Sequence, residues 1–286
     1  MMKYRILLVV VALTLAAVST AHAGGRLLAT GGVSQLEGAA GGGLTPWALI
    51  AGTGTRDEVG VTAYATYLDI SNFRLHSAGV AIGFYDRVEV SFARQRLGLG
   101  STVPGESIEQ DIVGLKLKVL GDAVFDQDTW VPQVALGLQY KRNRDFDFVP
   151  SALGARDDRG IDIYASATKL YLAGLLGRNV LLNATLRGTR ANQMGLLGFG
   201  GDRANHYQAH FEGSAAVFLN DAVVLGMEYR HKPDSLSAFR EDDYRDVFLV
   251  WLPSKSVSLT LAYAQLGNIA NQPDQTAAYA SLQLSY

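Results

Sequence analysis

The sequence predicts an all-β protein, a transmembrane antiparallel β-barrel of about twelve strands with short periplasmic turns and long extracellular loops. Three observations carry this expectation. Beyond position 23, apolar residues recur with period two rather than 3.6. The alternating segments run for roughly ten to fourteen residues, close to what a tilted strand needs to cross a bilayer. The connections between them are short and long by turns, as in barrels whose chain ends lie on the periplasmic side. A soluble sandwich gives no reason for that asymmetry. It would also bury its apolar faces in a dry core, whereas here the opposite faces carry Lys, Arg, Glu, His and Gln.

Composition narrows the field further. The chain has 286 residues, 48% hydrophobic and 18% charged, with 31 Gly and no Cys, enough material for a large folded domain. Lacking cysteine, it has no disulfides, thiolate metal sites, cysteine nucleophile or lipid-modified Cys. A formal charge of -2 offers no field for a phosphate backbone, so nucleic acid is not an expected partner.

In chain order, residues 1–23 read as a signal peptide. Lys3 and Arg5 precede an apolar run, and Ala21-His22-Ala23 supplies the small residues of a cleavage site. The run, about 13 residues, falls short of the roughly 20 that a spanning helix needs. Residues 24–57 are dense in Gly around Pro46 and Trp47 and show no barrel-strand pattern. A segment folded into the lumen as a plug is one reading, a loose periplasmic tail another, and an extra strand pair using residues 44–51 a third.

Residues 58–286 form the barrel, with segments starting near 58, 73, 87, 109, 131, 161, 179, 206, 222, 244, 257 and 276. In the segment near 109, Val113, Leu115, Leu117 and Val119 alternate with Lys116 and Lys118. Near 257, Val257, Leu259, Leu261 and Tyr263 alternate with Ser258, Thr260 and Ala262. Connections at 85–86, 172–178, 220–221 and 253–256 are short, and those at 98–108, 142–160, 194–205, 233–243 and 267–275 are long. Two do not fit the scheme: the connection after Leu68 is short where a long one is due, and 121–130 is long for a periplasmic turn. Hydrocarbon offers no partner to an unpaired amide, so the sheet must close.

With apolar sides facing lipid, the opposite sides put Lys116, Lys118, Gln133, Gln139, Asn183, Arg187, His206, Gln208, His210, Glu212, Glu228 and Arg230 in the interior. Both signs of charge occur. A salt-bridged, mostly filled core and a narrow polar pore both suit such a lining in a barrel narrower than the porins. Glu212 is expected to face Arg230 across the hairpin at 220–221, because the alternative register opposes two carboxylates.

The last strand ends on Tyr286, with Leu284, Leu282 and Ala280 at alternate positions before it, and resembles the C-terminal signal read by the barrel assembly machinery. Residues 31–47, GGVSQLEGAAGGGLTPW, and 83–95, GFYDRVEVSFARQ, resemble an uncharacterised proteobacterial outer-membrane family classified only as a domain of unknown function. The resemblance implies the fold and an outer-membrane location in a Gram-negative bacterium, and transfers no catalytic residue.

The expected function is a narrow passive or gated channel for small solutes. The alternative is a non-conducting structural or interaction barrel of the envelope, and a lipid hydrolase is third. No catalytic residue, metal site or cofactor is expected. Ser77 adjoins His76 on the opposite face, and Ser214 lies about 13 Å along the strand from His210. His206 and His210 are too far apart to share one metal ion, and residues 195–201 lack the Lys-Ser/Thr of a phosphate loop and read as an extracellular loop. The charged runs 141–145 and 240–246 read as solvated loop surface, or as contacts with outer-membrane lipid and lipopolysaccharide.

Overall fold

A computed structural model describes residues 32–286. The expected leader at 1–23 and the start of the Gly-rich segment lie outside the described residues. Two short strands, β1 (Val33–Ser34) and β2 (Ala40–Gly41), pair with each other apart from the main sheet. Twelve further strands follow: β3 (Val59–Ile70), β4 (Arg74–Phe84), β5 (Val88–Gly98), β6 (Ser107–Leu120), β7 (Gln133–Asn143), β8 (Arg159–Leu175), β9 (Arg178–Thr189), β10 (Gln208–Asn220), β11 (Val223–Arg230), β12 (Tyr244–Ser254), β13 (Val257–Ile269) and β14 (Gln272–Ser285). Each pairs antiparallel with the next, and β14 returns to β3 to close the barrel, with Leu284 opposite Ala63. Closure leaves no edge amides for lipid to strand.

The pleat sorts the side chains. In β3 the odd positions are exposed and the even ones buried, and in β5 the odd positions are buried and the even ones face outward. Val90, Phe92, Val113, Leu115, Leu138 and Leu182 project outward as part of an apolar band. Aromatic rings flank it: Tyr85, Trp130, Tyr171 and Trp251 on the side of the chain ends, Tyr67, Tyr140, Tyr207 and Phe211 on the other. Amphipathic rings of this kind sit at headgroup level, and a single-chain barrel with an even strand number is of the outer-membrane type. The protein is an outer-membrane β-barrel. Ala280, Leu282 and Leu284 lie on the outward face of β14, and Tyr286, just past its end, is exposed.

Turn chemistry explains most of the connections. The one after β4 carries Tyr85 and Asp86, and the one after β8 carries Leu176 and Gly177, both pairs at positive φ. Such tight turns match the right-handed twist of the flanking strands. The short connection after β3, residues 71–73, is held by Ser71 N and Oγ donating to Thr276 O.

Two expectations fail. The connection at 267–275 is not a long loop, because β13 and β14 extend to a hairpin turned by Ala270 and Asn271, both at positive φ. Pairing these residues satisfies backbone groups that a loop would leave to water. The long connection 190–207 does leave the far rim, but residues 191–201 are buried and fold back inside the barrel.

Candidate functional site

The candidate site is the lumen, occupied by residues 32–51. This segment enters from the chain-end side, where Thr53 N donates to Tyr286 O at 3.2 Å. Gly83 makes room for the passage, since a Cβ there would lie 2.2 Å from Ala51 O. Inside, residues 44–51 do not form the extra barrel strands that were one alternative. They run through the lumen, bonded to residues 35–42 of the same segment and to the wall.

Those bonds go largely to the segment's backbone. Pro46 O accepts from Thr185 Oγ1 at 2.9 Å, Ser166 Oγ at 3.2 Å and Asn183 Nδ2 at 3.3 Å. Gln133 Nε2 donates to Ala48 O at 2.6 Å. Lys116 Nζ donates to Ala40 O and Leu49 O, each at 2.9 Å, and pairs with Glu89, which accepts from the amides of Ala40 and Ala51. Trp47 Nε1 donates to Ser214 Oγ at 2.9 Å, while its ring joins an apolar cluster with Val33, Leu49, Leu170 and Phe248. Glu228 accepts from Leu44 N at 2.7 Å and Thr45 Oγ1 at 2.6 Å. These bonds pair buried backbone groups that would otherwise be stranded.

Toward the far rim lies a cluster of charges. Strands β1 and β2 form a hairpin whose turn is closed by Gly38 N donating to Gln35 O, with Gly38 at φ 97. At its tip, the Glu37 carboxylate meets Arg230 through two contacts, Nη1–Oε2 at 2.7 Å and Nη2–Oε1 at 3.3 Å. Lys141 Nζ donates to Glu37 Oε1, and Arg187 Nη2 lies 3.6 Å from Oε2. Two wall carboxylates complete the set. Asp162 pairs with Lys141 at 2.5 Å and Arg187 at 3.3 Å, and Glu212 pairs with Arg187 at 2.5 Å and Arg230 at 3.4 Å. All six groups are buried, and each has more than one opposite charge beside it, the condition under which ions persist in a dry site.

The inward-folded loop covers this cluster. Met194 O accepts from Gln110 Nε2 and Lys141 Nζ, and Asn143 Nδ2 donates to Leu196 O at 2.8 Å. Met194, Leu196 and Leu197 pack with Leu36 and Leu44 of the inner segment in one apolar cluster. Gln193 and Met194 hold positive φ at this bend. A latch secures the loop from outside: Gln193 Nε2 donates to Glu241, which pairs with Lys232 at 3.0 Å. Burial pulls the Lys232 ammonium below, and pushes the Glu241 carboxyl above, its ordinary value. At the other mouth, Ala123 and Val124 of the long turn 121–132 pack into the Trp47 cluster. Lys118 pairs there with Asp86 at 2.7 Å and Asp122 at 3.5 Å.

The structure brings most of the residues singled out in the sequence to the inner face. Lys116, Lys118, Gln133, Gln139, Asn183, Arg187, His210, Glu212, Glu228 and Arg230 are buried there, and Gln208 is half-buried at the start of β10. Glu212 stands opposite Arg230 in the register of β10 and β11. His206 is a correction. It is exposed in the connection before β10, because that strand begins two residues later. The loop-surface reading fails for Lys141 and Asp246, which point inward from β7 and β12.

Sequence reasoning missed Glu37, Glu89, Lys141, Asp162 and Asp246. A signal existed for Glu37, the one charged residue between Leu27 and Ala51. Asp246 is paired in register with Glu228, and its Oδ1 has no hydrogen-bond partner. His210 Nδ1 and His231 Nδ1 lie 2.7 Å apart, and on the outer face the His76 ring lies against Tyr67 at a tilt of 49°. Among the described residues no histidine is hydrogen-bonded to a serine, and no group of three His, Asp or Glu could hold a metal ion.

No curated protein matches the chain. Among solved structures, the NanC porin superposes with a TM-score of 0.50 at 10% identity, covering 79% of this chain and 98% of the porin. The KdgM porin gives 0.49 at 10% identity over 79% and 99% of the two chains. The outer-membrane protein Omp33 of Acinetobacter baumannii gives 0.46 at 8% identity over 81% and 100%. At 10% identity the likeness to the NanC porin is one of fold alone. The model of the family described as "Protein of unknown function (DUF3034)" matches residues 30–283, and the chain, an outer-membrane β-barrel, belongs to that family.

Proposed function

We propose that the protein is a gated channel for small solutes, held closed in this state by residues 32–51 acting as a plug and by the inward loop 191–201. One observation carries the reading: the material filling the lumen is not part of the barrel ladder and is held by hydrogen bonds from hydrophilic wall side chains to its backbone. Water can replace each of those bonds, so the wall stays solvated and stable if the segment withdraws. A core evolved only to be filled has no need of Lys116, Gln133, Asn183 and Thr185 at inward positions, since apolar packing would serve. Residues 1–23 act as the export signal, and the outward face of β14 with Tyr286 serves the assembly machinery. Arg94, Arg96, Arg142, Arg144 and Arg159, exposed near the far rim, suit the phosphates of lipopolysaccharide.

The test is single-channel recording of the refolded protein with and without residues 24–51. The full chain is expected to stay mostly closed with rare openings, and the shortened chain to conduct steadily. The non-conducting alternative draws on closure at both mouths. A folded barrel that passes no current even when the inward part of the loop 191–201 is removed along with residues 24–51 would establish it and end the channel reading.

A further inference from the structure

We infer that Lys141, Arg187 and Arg230 form a binding site for the carboxylate of a small acidic solute, and that Glu37 occupies this site as an internal stand-in while the lumen is closed. The inference deepens the channel reading and rests on it for the solute's passage. Its physical basis is the local charge balance. The wall supplies three cations to this level but only two carboxylates, Asp162 and Glu212, and the third anion comes from the inner segment.

The recognition geometry is that of a ligand site rather than of a chance ion pair. Glu37 sits at the end of a tight turn, extended into the cluster, and is gripped by both terminal nitrogens of Arg230. A planar guanidinium engaging both oxygens of a carboxylate reads its shape as well as its charge. The other cationic partners are wall groups too: Lys141 donates to Oε1, and Arg187 stands by Oε2, itself steadied by Gln139 at 2.9 Å and by Glu212, while the hairpin's own Gln35 Nε2 donates to Oε2 at 2.9 Å. If the hairpin withdraws, these cations lose one counter-charge together, and a buried site with an uncompensated positive charge attracts an anion. An acidic solute that reaches the cluster therefore competes with Glu37 and favours the open state, as any ligand favours the state that binds it.

The site lies where two non-wall segments meet. The hairpin closes it from the chain-end side, and Met194 O, bound to Lys141 Nζ and Gln110 Nε2, closes it from the other. A solute bound there opposes both closures at once. Neutral solutes of the same size gain nothing at the cluster, so the site selects for acidic solutes, sugar acids and small carboxylic acids among them.

The chain has no cysteine, so a single thiol can report withdrawal of the hairpin. Ala39 is buried in it and touches none of the charged groups through a side-chain bond, which makes Ala39→Cys in the full chain the reporter. The reagent is a water-soluble maleimide and the probes are glucuronate and, as its neutral isostere, glucose, at equal ionic strength. Glucuronate is expected to raise the labelling rate about tenfold and glucose to leave it unchanged. Glu37→Gln removes the internal competitor and should lower the half-saturating glucuronate concentration roughly tenfold, while Arg230→Gln should raise it by a similar factor. Glu37→Asp retains the charge with a shorter reach and should fall between. Equal effects of glucuronate and glucose, or a half-saturation indifferent to both Glu37 variants, overturn the inference. Chloride current recorded alongside separates the two ideas: labelling that responds to glucuronate without any current supports the site and refutes the channel, whereas current without preference for glucuronate refutes the site alone.

Discussion

Arg230 joins the inner segment to the wall, and the strength of that joint follows from its contacts. Replacing it with Gln removes two contacts to Glu37, at 2.7 and 3.3 Å, one to Leu44 O at 3.0 Å and a longer one to Glu212 at 3.4 Å. Loss of one member of a buried ion pair typically costs about 3 to 5 kcal/mol, because the other charge remains buried. Here both carboxylates keep other cations, Lys141 and Arg187, so the expected loss lies at the lower end, about 3 kcal/mol.

Double-mutant cycles divide the loss. The hydrogen-bonded Glu37–Arg230 pair should couple by about 1.5 to 3 kcal/mol. The Glu212–Arg230 pair should couple by less, since Glu212 keeps the 2.5 Å contact with Arg187. The assay is reversible urea unfolding in lipid vesicles of the wild type, Arg230→Gln, Glu37→Gln, Glu212→Gln and the two double variants. A coupling near zero for Glu37 and Arg230, or one exceeded by Glu212 and Arg230, would refute the reasoning.

Leu115→Arg, on the lipid face of β6, should cost about 2 to 4 kcal/mol in the same unfolding assay, whereas Arg at Leu120 near the end of that strand should cost under about 1 kcal/mol. Gly83→Ala places a methyl against Ala51 O and should loosen the inner segment, seen as faster labelling of a thiol introduced at Ala39, while the barrel remains heat-modifiable on gels. Asp122 is pushed up by burial but pulled down further by the amides of Phe125 and Val124 and by Lys118, so its folded value lies below the ordinary one. Its stabilising effect on the turn 121–132 is therefore full above about pH 4 and is lost as pH falls through the folded value. Proteolytic nicking of this turn should rise in acid, and Asp122→Asn should show the same nicking at neutral pH. Glu241→Gln breaks the latch to Lys232 and should raise hydrogen exchange in residues 191–201 without changing exchange in β3 to β6.

The sequence by itself determined the wall. Period-two alternation in segments such as 113–119 and 276–286 is a local property, imposed by lipid on one side of every strand, and it needs no knowledge of the neighbours. Even the pairing of Glu212 with Arg230 was legible, because a short hairpin and the cost of opposing carboxylates leave few registers. What fills the wall was decided only by tertiary structure. Residues 32–51 show no strand or helix periodicity, and their path follows wall groups such as Ser166, Asn183 and Thr185 of β8 and β9, which meet on Pro46 O far away in sequence. The run 141–145 looked like solvated loop because its charges are adjacent in sequence, yet the pleat sends Lys141 inward to Glu37 and Arg142 outward to Asp158. Residues 191–201 give the same lesson: their apolar members find partners only once Leu36 and Leu44 stand inside the barrel. Local periodicity encodes which face a residue takes, whereas the partner it meets across a closed lumen depends on where every other strand has gone.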